Sequence, residues 1–71
     1  MGFSIERMAA ELRKCRAEKH ISQQEVADAV GVDRVTIKNY ENGITAPSYE
    51  TAWRLADYYG VSLDALGGRT R

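Results

Sequence analysis

Apolar residues recur at helical spacing in successive short segments of this chain. Met8, Leu12 and Cys15 follow one another every three or four residues in the first segment, and the later segments repeat that spacing. No segment alternates apolar and polar residues as a half-buried strand does. The pattern therefore predicts an all-α domain with five helices, near residues 4–19, 22–30, 33–42, 48–59 and 62–66.

Start and stop residues bound each predicted helix. The residues expected to cap the N-termini are Ser4, Ser22, Asp33, Ser48 and Ser62. Ser22 and Glu25 have the spacing of a capping box. Hydrophobic staples across the caps are expected for Phe3 with Met8, Ile21 with Val26, Val32 with Ile37, and Val61 with Leu66. We expect left-handed ends at His20 and at glycines free to adopt that conformation, namely Gly31, Gly43, Gly60 and Gly67.

The third predicted helix has two chemically different faces. A rotation of about 100° per residue places Asp33, Thr36, Ile37 and Tyr40 on one side, where Ile37 and Tyr40 pack on the core. The opposite side carries Arg34, Val35, Lys38, Asn39 and Asn42. A guanidinium, an ammonium, two amides and a methyl-rich side chain suit the edges of DNA bases. A solvated helix face is the alternative interpretation, since outer faces are normally polar.

The other core positions follow from the same periodicity. They are Met8, Leu12 and Cys15 in the first helix; Val26, Ala27 and Val30 in the second; Tyr49, Ala52, Leu55, Ala56 and Tyr59 in the fourth; and Leu63 and Leu66 in the fifth.

Length and composition exclude several classes of protein. The 71 residues form one domain, spanning 1–71. One cysteine and one histidine provide neither an internal disulfide nor a structural zinc site. No apolar run approaches the roughly 20 residues of a membrane span, and residues 1–6 lack the regions of a signal peptide. We therefore expect a cytoplasmic protein without a membrane partner.

The sequence contains no recognisable catalytic or ligand-binding motif. It has no nucleophile–base pair, no cluster of metal ligands and no glycine loop that would hold a phosphate. We expect no enzyme activity, no catalytic residues, no cofactor, no metal and no small-molecule ligand.

Charge is balanced, with 10 basic and 10 acidic side chains. DNA-binding proteins draw much of their affinity from phosphate neutralisation, so a net charge of zero counts against that function. Between residues 21 and 47, however, both basic residues, Arg34 and Lys38, lie one turn apart on the same helix face. This distribution predicts weak non-specific binding and a need for two copies on DNA.

Four motifs support a more specific interpretation. They are Ile21-Ser22-Gln23-Gln24-Glu25-Val26-Ala27, Tyr40-Glu41-Asn42-Gly43, Pro47-Ser48 and Gly60-Val61-Ser62-Leu63-Asp64. With them, the chain from about Leu12 to Leu66 resembles the phage repressor and Cro family, also called the XRE family. The resemblance implies a lambda-repressor-like domain with its helix-turn-helix at about 22–42, followed by a frayed tail over 67–71. It also implies a sequence-specific transcriptional regulator that binds double-stranded DNA, a repressor acting as a homodimer on a near-palindromic operator.

The resemblance further implies roles for individual residues. The base-contacting residues would be Arg34, Val35, Lys38 and Asn39. The phosphate-contacting residues would be Gln23, Thr36, Asn42 and Thr45. Thr45 lies in the loop Gly43-Ile44-Thr45-Ala46, which departs from the family pattern because it has no Lys or Arg.

The same resemblance implies two structural features. Arg16 and Glu41 would form an ion pair between the first and third helices, and Arg16 would either be purely structural or also hold a phosphate. A dimer interface would include Trp53, Tyr58, Leu63 and Leu66, although core packing explains Leu63 and Leu66 equally well.

Two other functions stay open from the sequence. One is an antitoxin, which would add a toxin protein as a partner of the same DNA-binding domain. The other is a protein-interaction module that has lost DNA binding, for which the zero net charge and the uncharged loop are the only support.

Overall fold

Residues 4–67, which the computed structural model describes, form five helices and no strand. The helices are α1 (Ile5–Lys19), α2 (Gln23–Val30), α3 (Arg34–Glu41), α4 (Tyr49–Tyr59) and α5 (Leu63–Leu66). The predicted all-α class and the five helices are confirmed. The predicted ranges were slightly longer mainly because they included the capping residues. The predicted staple of Phe3 with Met8 and the tail beyond Gly67 lie outside the described residues.

The predicted N-caps form at all five helices. Each capping side chain accepts a hydrogen bond from the backbone N–H three residues further on. At α2 both bonds of the capping box are present: Glu25 N donates to Ser22 Oγ over 3.1 Å, and Ser22 N donates to Glu25 Oε1 over 2.9 Å. These bonds satisfy backbone donors that a helix start leaves without partners, so the sequence defines the helix starts locally.

The helix ends follow the prediction except at two glycines. His20, Gly31 and Gly60 are left-handed C-caps, as expected. Gly43 also has a positive φ of 72°, but it follows the cap of α3 instead of forming it. The left-handed conformation expected at Gly67 is wrong: at φ −77° and ψ 0° it continues the right-handed path of α5.

The core lies where all five helices meet. Its largest fully buried side chains are Val26, Leu12, Ile37, Leu55 and Leu66. Tyr49 was predicted to belong to this core, but its side chain is 76% exposed because the buried face of α4 is formed by small and aliphatic residues further along. Tyr59 is only half-buried at the edge of the core.

The packing of α2 against α3 sets the direction of α3. Ala27 is completely buried and leaves room for the two helices to approach closely. Its carbonyl accepts hydrogen bonds from Gly31 N (2.9 Å) and Val32 N (3.0 Å), which close the turn. Ile37 and Tyr40 then fix the inner side of α3 to the core. The opposite side of α3 is left on the surface.

Candidate nucleic-acid interface

The outer face of α3 consists of the residues predicted to lie opposite its core contacts: Arg34, Val35, Lys38, Asn39 and Asn42. Arg34, Lys38 and Asn42 are exposed, and Asn39 is partly covered. Val35 is 54% exposed, although it is apolar. The structure therefore brings together the four residues predicted to contact bases. It gives them a rigid support, because α3 is capped at its start and packed on the core along its inner side.

A carboxylate occupies the start of this helix. Asp33 Oδ1 accepts hydrogen bonds from the backbone N of Thr36 (2.9 Å) and from Thr36 Oγ1 (2.6 Å). The side-chain bond from Thr36, and then the backbone bond from the same residue, lower the pKa of Asp33 below its ordinary value. Asp33 is therefore ionised at neutral pH and exposed to solvent. Helical rotation had placed it on the inner side of α3, but its extended backbone (φ −88°, ψ 168°) takes it out of the helical path.

A buried carboxylate joins the first three helices. Glu41, the last residue of α3, is only 2% exposed. Its oxygens accept bonds from Arg16 Nε (2.8 Å), Arg16 Nη2 (3.0 Å) and Gln23 Nε2 (3.1 Å). Arg16 Nη1 also donates to the carbonyl of Ile21 over 3.0 Å, and the hydrogen bond to Glu41 raises the pKa of Arg16. The expected ion pair between Arg16 and Glu41 is confirmed.

Two contacts of this network were not predicted. Arg13 Nη1 donates to the backbone carbonyl of Glu41, at the C-terminal end of α3. Gln23, predicted only as a phosphate contact, gives one amide hydrogen to Glu41 and keeps a second one on the same nitrogen. The spacing of Arg13 and Arg16 on one side of α1 was a usable signal for the first contact. The second had no sequence signal, because Gln23 and Glu41 are 18 positions apart.

The loop after α3 offers fewer donors than the resemblance implied. Gly43 N donates to the carbonyl of Tyr40 (3.2 Å), and Ile44 N donates to the carbonyl of Asn39 (3.0 Å), so both amides are already bonded. Thr45 is exposed, and Ile44 is 65% exposed in this loop, which has no basic side chain. Thr45 remains a predicted phosphate contact.

The four residues proposed for a dimer interface differ in exposure. Leu66 is completely buried within its own chain, so its assignment to an interface is corrected to core packing. Tyr58 and Leu63 are partly buried and pack against the same core. The Tyr58 ring also lies 5.4 Å from the Tyr59 ring and 5.5 Å from the Lys19 ammonium. Only Trp53, at 56%, is largely exposed.

Residues 4–67 lack two kinds of feature. No group of three or more potential metal-ligating residues is found there. No helix in that range combines the length and apolar character that a bilayer span requires.

Comparisons with known proteins place this arrangement among DNA-associated regulators. Residues 12–66 match the family described as "Helix-turn-helix". The chain is 38% identical over 58 residues to the cryptic phage CTXphi transcriptional repressor RstR of Vibrio cholerae. The matched region covers 82% of this chain and 52% of that protein. The chain is 40% identical over 55 residues to the uncharacterised HTH-type transcriptional regulator YqaE of Bacillus subtilis strain 168, covering 78% of this chain and 47% of that protein.

A solved structure supports the fold directly. The P22 c2 repressor, crystallised with a synthetic operator, superposes with a TM-score of 0.81 at 30% identity and covers 83% of this chain and 89% of that one. The predicted repressor-like fold is confirmed. The chain spans only about half the length of the two curated relatives, at 52% and 47%. The relatives are named as a repressor and a regulator, which confirms the expectation that this chain is not an enzyme.

Proposed function

The chain belongs to the helix-turn-helix family, and from that premise we propose that it is the DNA-binding domain of a sequence-specific transcriptional repressor. The observation that carries the proposal is the outer face of α3, whose residues have no role in the core although the helix itself is firmly held. Such a helix enters the major groove as a rigid unit, while the helix before it crosses the DNA backbone.

Each group on the outer face suits a different feature of the groove. The Arg34 guanidinium matches O6 and N7 of guanine, and the Asn39 amide matches N6 and N7 of adenine. Val35 offers methyl groups to the methyl of thymine, which explains why an exposed apolar side chain is useful there. Lys38, one turn after Arg34, adds a second positive charge facing the bases or the adjoining phosphates.

Phosphate contacts would set the position of α3 in the groove. Gln23 lies at the first turn of α2, where unpaired backbone amides and the helix dipole favour an anion. Its bond to Glu41 couples the side chain to the end of α3. Arg16 contributes little net charge to DNA, because the carboxylate of Glu41 neutralises it. Asn42 and Thr45 complete the phosphate-contacting set, on the C-terminal side of α3.

A homodimer follows from the weak electrostatic attraction of one copy. Two copies would place their α3 helices one DNA turn apart, about 34 Å, on a near-palindromic operator. Trp53 is the candidate for the centre of the interface, since aromatic residues are enriched at such centres and its side chain is 56% exposed.

Selection from a pool of random DNA duplexes, followed by binding titrations on the enriched sequence, tests this function. We expect Arg34→Ala to cost about 1–3 kcal/mol at one base pair and to relax specificity there. Arg7→Ala is the matched control: Arg7 is an exposed arginine on α1, outside both the outer face of α3 and the helix that carries Trp53.

Different results would contradict different parts of the proposal. If Arg34→Ala and the wild type bind the enriched and scrambled duplexes alike, Arg34 does not contact a base. If the wild-type chain enriches no sequence, the DNA-binding function is wrong, and a protein-interaction role is favoured.

A further inference from the structure

The start of α3 carries a charged group that the proposed base-contacting and phosphate-contacting residues leave unexplained. Asp33 is an exposed carboxylate directly before Arg34 in the chain. A negative charge at the leading end of a helix that approaches DNA would repel phosphates. Serine or asparagine caps a helix as well as aspartate does, so capping alone does not require the charge.

The hydrogen bonds of Thr36 determine what each of the two side chains can do. Both bonds from Thr36 end on the same oxygen, Asp33 Oδ1, at 2.9 Å and 2.6 Å. The hydroxyl of a threonine has one proton, and here that proton is given to Asp33. Phosphate oxygens only accept hydrogen bonds, so the Thr36 hydroxyl has no proton left for them while this bond persists. Thr36 therefore does not suit the phosphate-contacting role that the family resemblance implied.

The second carboxylate oxygen is held in place but remains available. Both hydrogen bonds from Thr36 end on Oδ1, so neither occupies Oδ2, and the side chain is exposed. Because Oδ1 is fixed by two donors from one residue, the plane of the carboxylate is restricted and Oδ2 has a preferred position. A restricted acceptor beside Arg34 can discriminate between donors and acceptors in the groove.

On the basis of the proposed DNA-binding function, we propose that Asp33 is a specificity-determining residue that accepts a hydrogen bond from the N4 amino group of a cytosine. Thr36 is then the positioning residue that holds the carboxylate. In the major groove only cytosine and adenine present amino donors. Adenine places its N7 acceptor beside the amino group, and the lone pair of N7 repels the negatively charged oxygens of a carboxylate. Cytosine presents no such acceptor, so it is the preferred partner.

The same carboxylate would also reduce binding to the wrong DNA. A sequence that offers guanine O6 or thymine O4 at this position places acceptor against acceptor, with no proton between them. Asp33 therefore acts more on the ratio of specific to non-specific affinity than on affinity itself. Two acceptors that face each other in the complex with an incorrect sequence weaken that complex, and such repulsion is a common source of specificity.

Base preferences of the full chain and its variants test the proposal. Duplexes that differ by single base pairs from the selected sequence would be titrated with wild type, Asp33→Asn and Asp33→Ser, both of which keep a capping oxygen. We expect wild type to prefer cytosine at one position by about tenfold. Asp33→Asn should shift the preference at that position to adenine, whose N6 and N7 match an amide. Asp33→Ser should remove the preference, and both variants should bind scrambled DNA more tightly.

Two further variants separate positioning and charge from base contact. Thr36→Val removes the hydroxyl that holds Asp33 and should weaken the preference for cytosine, and Thr36→Ser should restore it. A purely structural role of Thr36 would lower binding to all sequences equally. Asp57→Asn removes an exposed negative charge on α4 and should leave the preferences unchanged.

The outcomes distinguish this proposal from the function on which it depends. If wild type selects a sequence and both Asp33 variants, shown to be folded by circular dichroism, keep the wild-type preference at every position, Asp33 is only a helix cap. If wild type selects no sequence, the proposed function fails and the role of Asp33 fails with it.

Discussion

The end of α1 is a left-handed residue that carries a side chain. His20 has φ 56° and ψ 44°, whereas the left-handed caps of α2 and α4 are glycines. A residue with a Cβ is destabilised in this conformation by about 1–2 kcal/mol. The conformation persists because His20 N bonds to the carbonyl of Ala17 and the next amide, Ile21 N, reaches the carbonyl of Arg16.

Replacing this residue should therefore stabilise the domain. We expect His20→Gly to raise the free energy of unfolding by about 0.5–1 kcal/mol. The substitution removes the strain of the left-handed conformation, and the added entropy of glycine in the unfolded chain offsets part of that gain. Urea titration followed by circular dichroism measures the change. His20→Ala is the control, since it removes the imidazole and keeps the strain, and it should give no gain. Equal stabilisation by both variants would assign the effect to the imidazole instead.

Single-residue conformations were predictable from the sequence only where local bonds decide them. The left-handed state of His20, expected at the end of the first predicted helix, was predicted correctly. Gly67 looked equally suitable but is right-handed, although its N–H bonds to the carbonyl four residues back just as that of the left-handed Gly31 does. The residues around a glycine therefore do not show which of the two conformations it adopts.

Residues 4–67 contain two arginine–glutamate pairs of different character, one between two helices and one within a single helix. Arg16 and Glu41 link α1 to α3, and their side chains are 26% and 3% exposed. Arg54 and Glu50 lie one turn apart on α4, with side chains 51% and 73% exposed. Solvent screens the second pair, whereas a buried carboxylate that loses its partner leaves a charge uncompensated.

Arginine-to-lysine substitutions at the two pairs should separate these effects. We expect Arg16→Lys to destabilise the domain by about 1–3 kcal/mol, because an ammonium cannot make the two bonds to Glu41 and the third to Ile21. Arg54→Lys should change stability by less than about 0.5 kcal/mol. Equal effects in chemical denaturation would mean that burial of Glu41 does not strengthen its pair.

Helix positions were predictable to within a residue or two because caps and staples act over a few residues. Contacts between helices were harder to predict from the sequence. The position of Tyr49 fits the apolar stripe of α4, yet the side chain lies outside the core, and the buried residues of that helix begin further along it. The bond from Gln23 to Glu41 depends on how α2 and α3 cross, which no local pattern encodes. The outer face of α3, by contrast, followed directly from helical periodicity.

For the whole molecule, the balance of charge determines how it would search DNA. The chain has zero net charge, and the two basic residues of the helix-turn-helix lie on one face. Arg13 and Arg16, which also lie near α3, are bonded to Glu41 within the chain. Few positive charges are therefore free to displace counterions from phosphates, and specificity must come mainly from base contacts and from a second copy.

Salt dependence should show this directly. The logarithm of the binding constant falls with the logarithm of salt concentration by about 0.9 per phosphate neutralised. Even if Arg34 and Lys38 each displace one counterion, we expect a slope no steeper than about −2 per bound copy. Ile44→Lys places a charge on the loop side chain that is 65% exposed, and it should steepen the slope by about one per copy and tighten binding to all sequences alike. Tyr49→Lys adds the same charge to an exposed position on α4, outside the proposed contacts, and should change the slope much less. A wild-type slope several times steeper would show that other basic residues reach the DNA, and equal slopes for the two lysine variants would place the loop away from the phosphates.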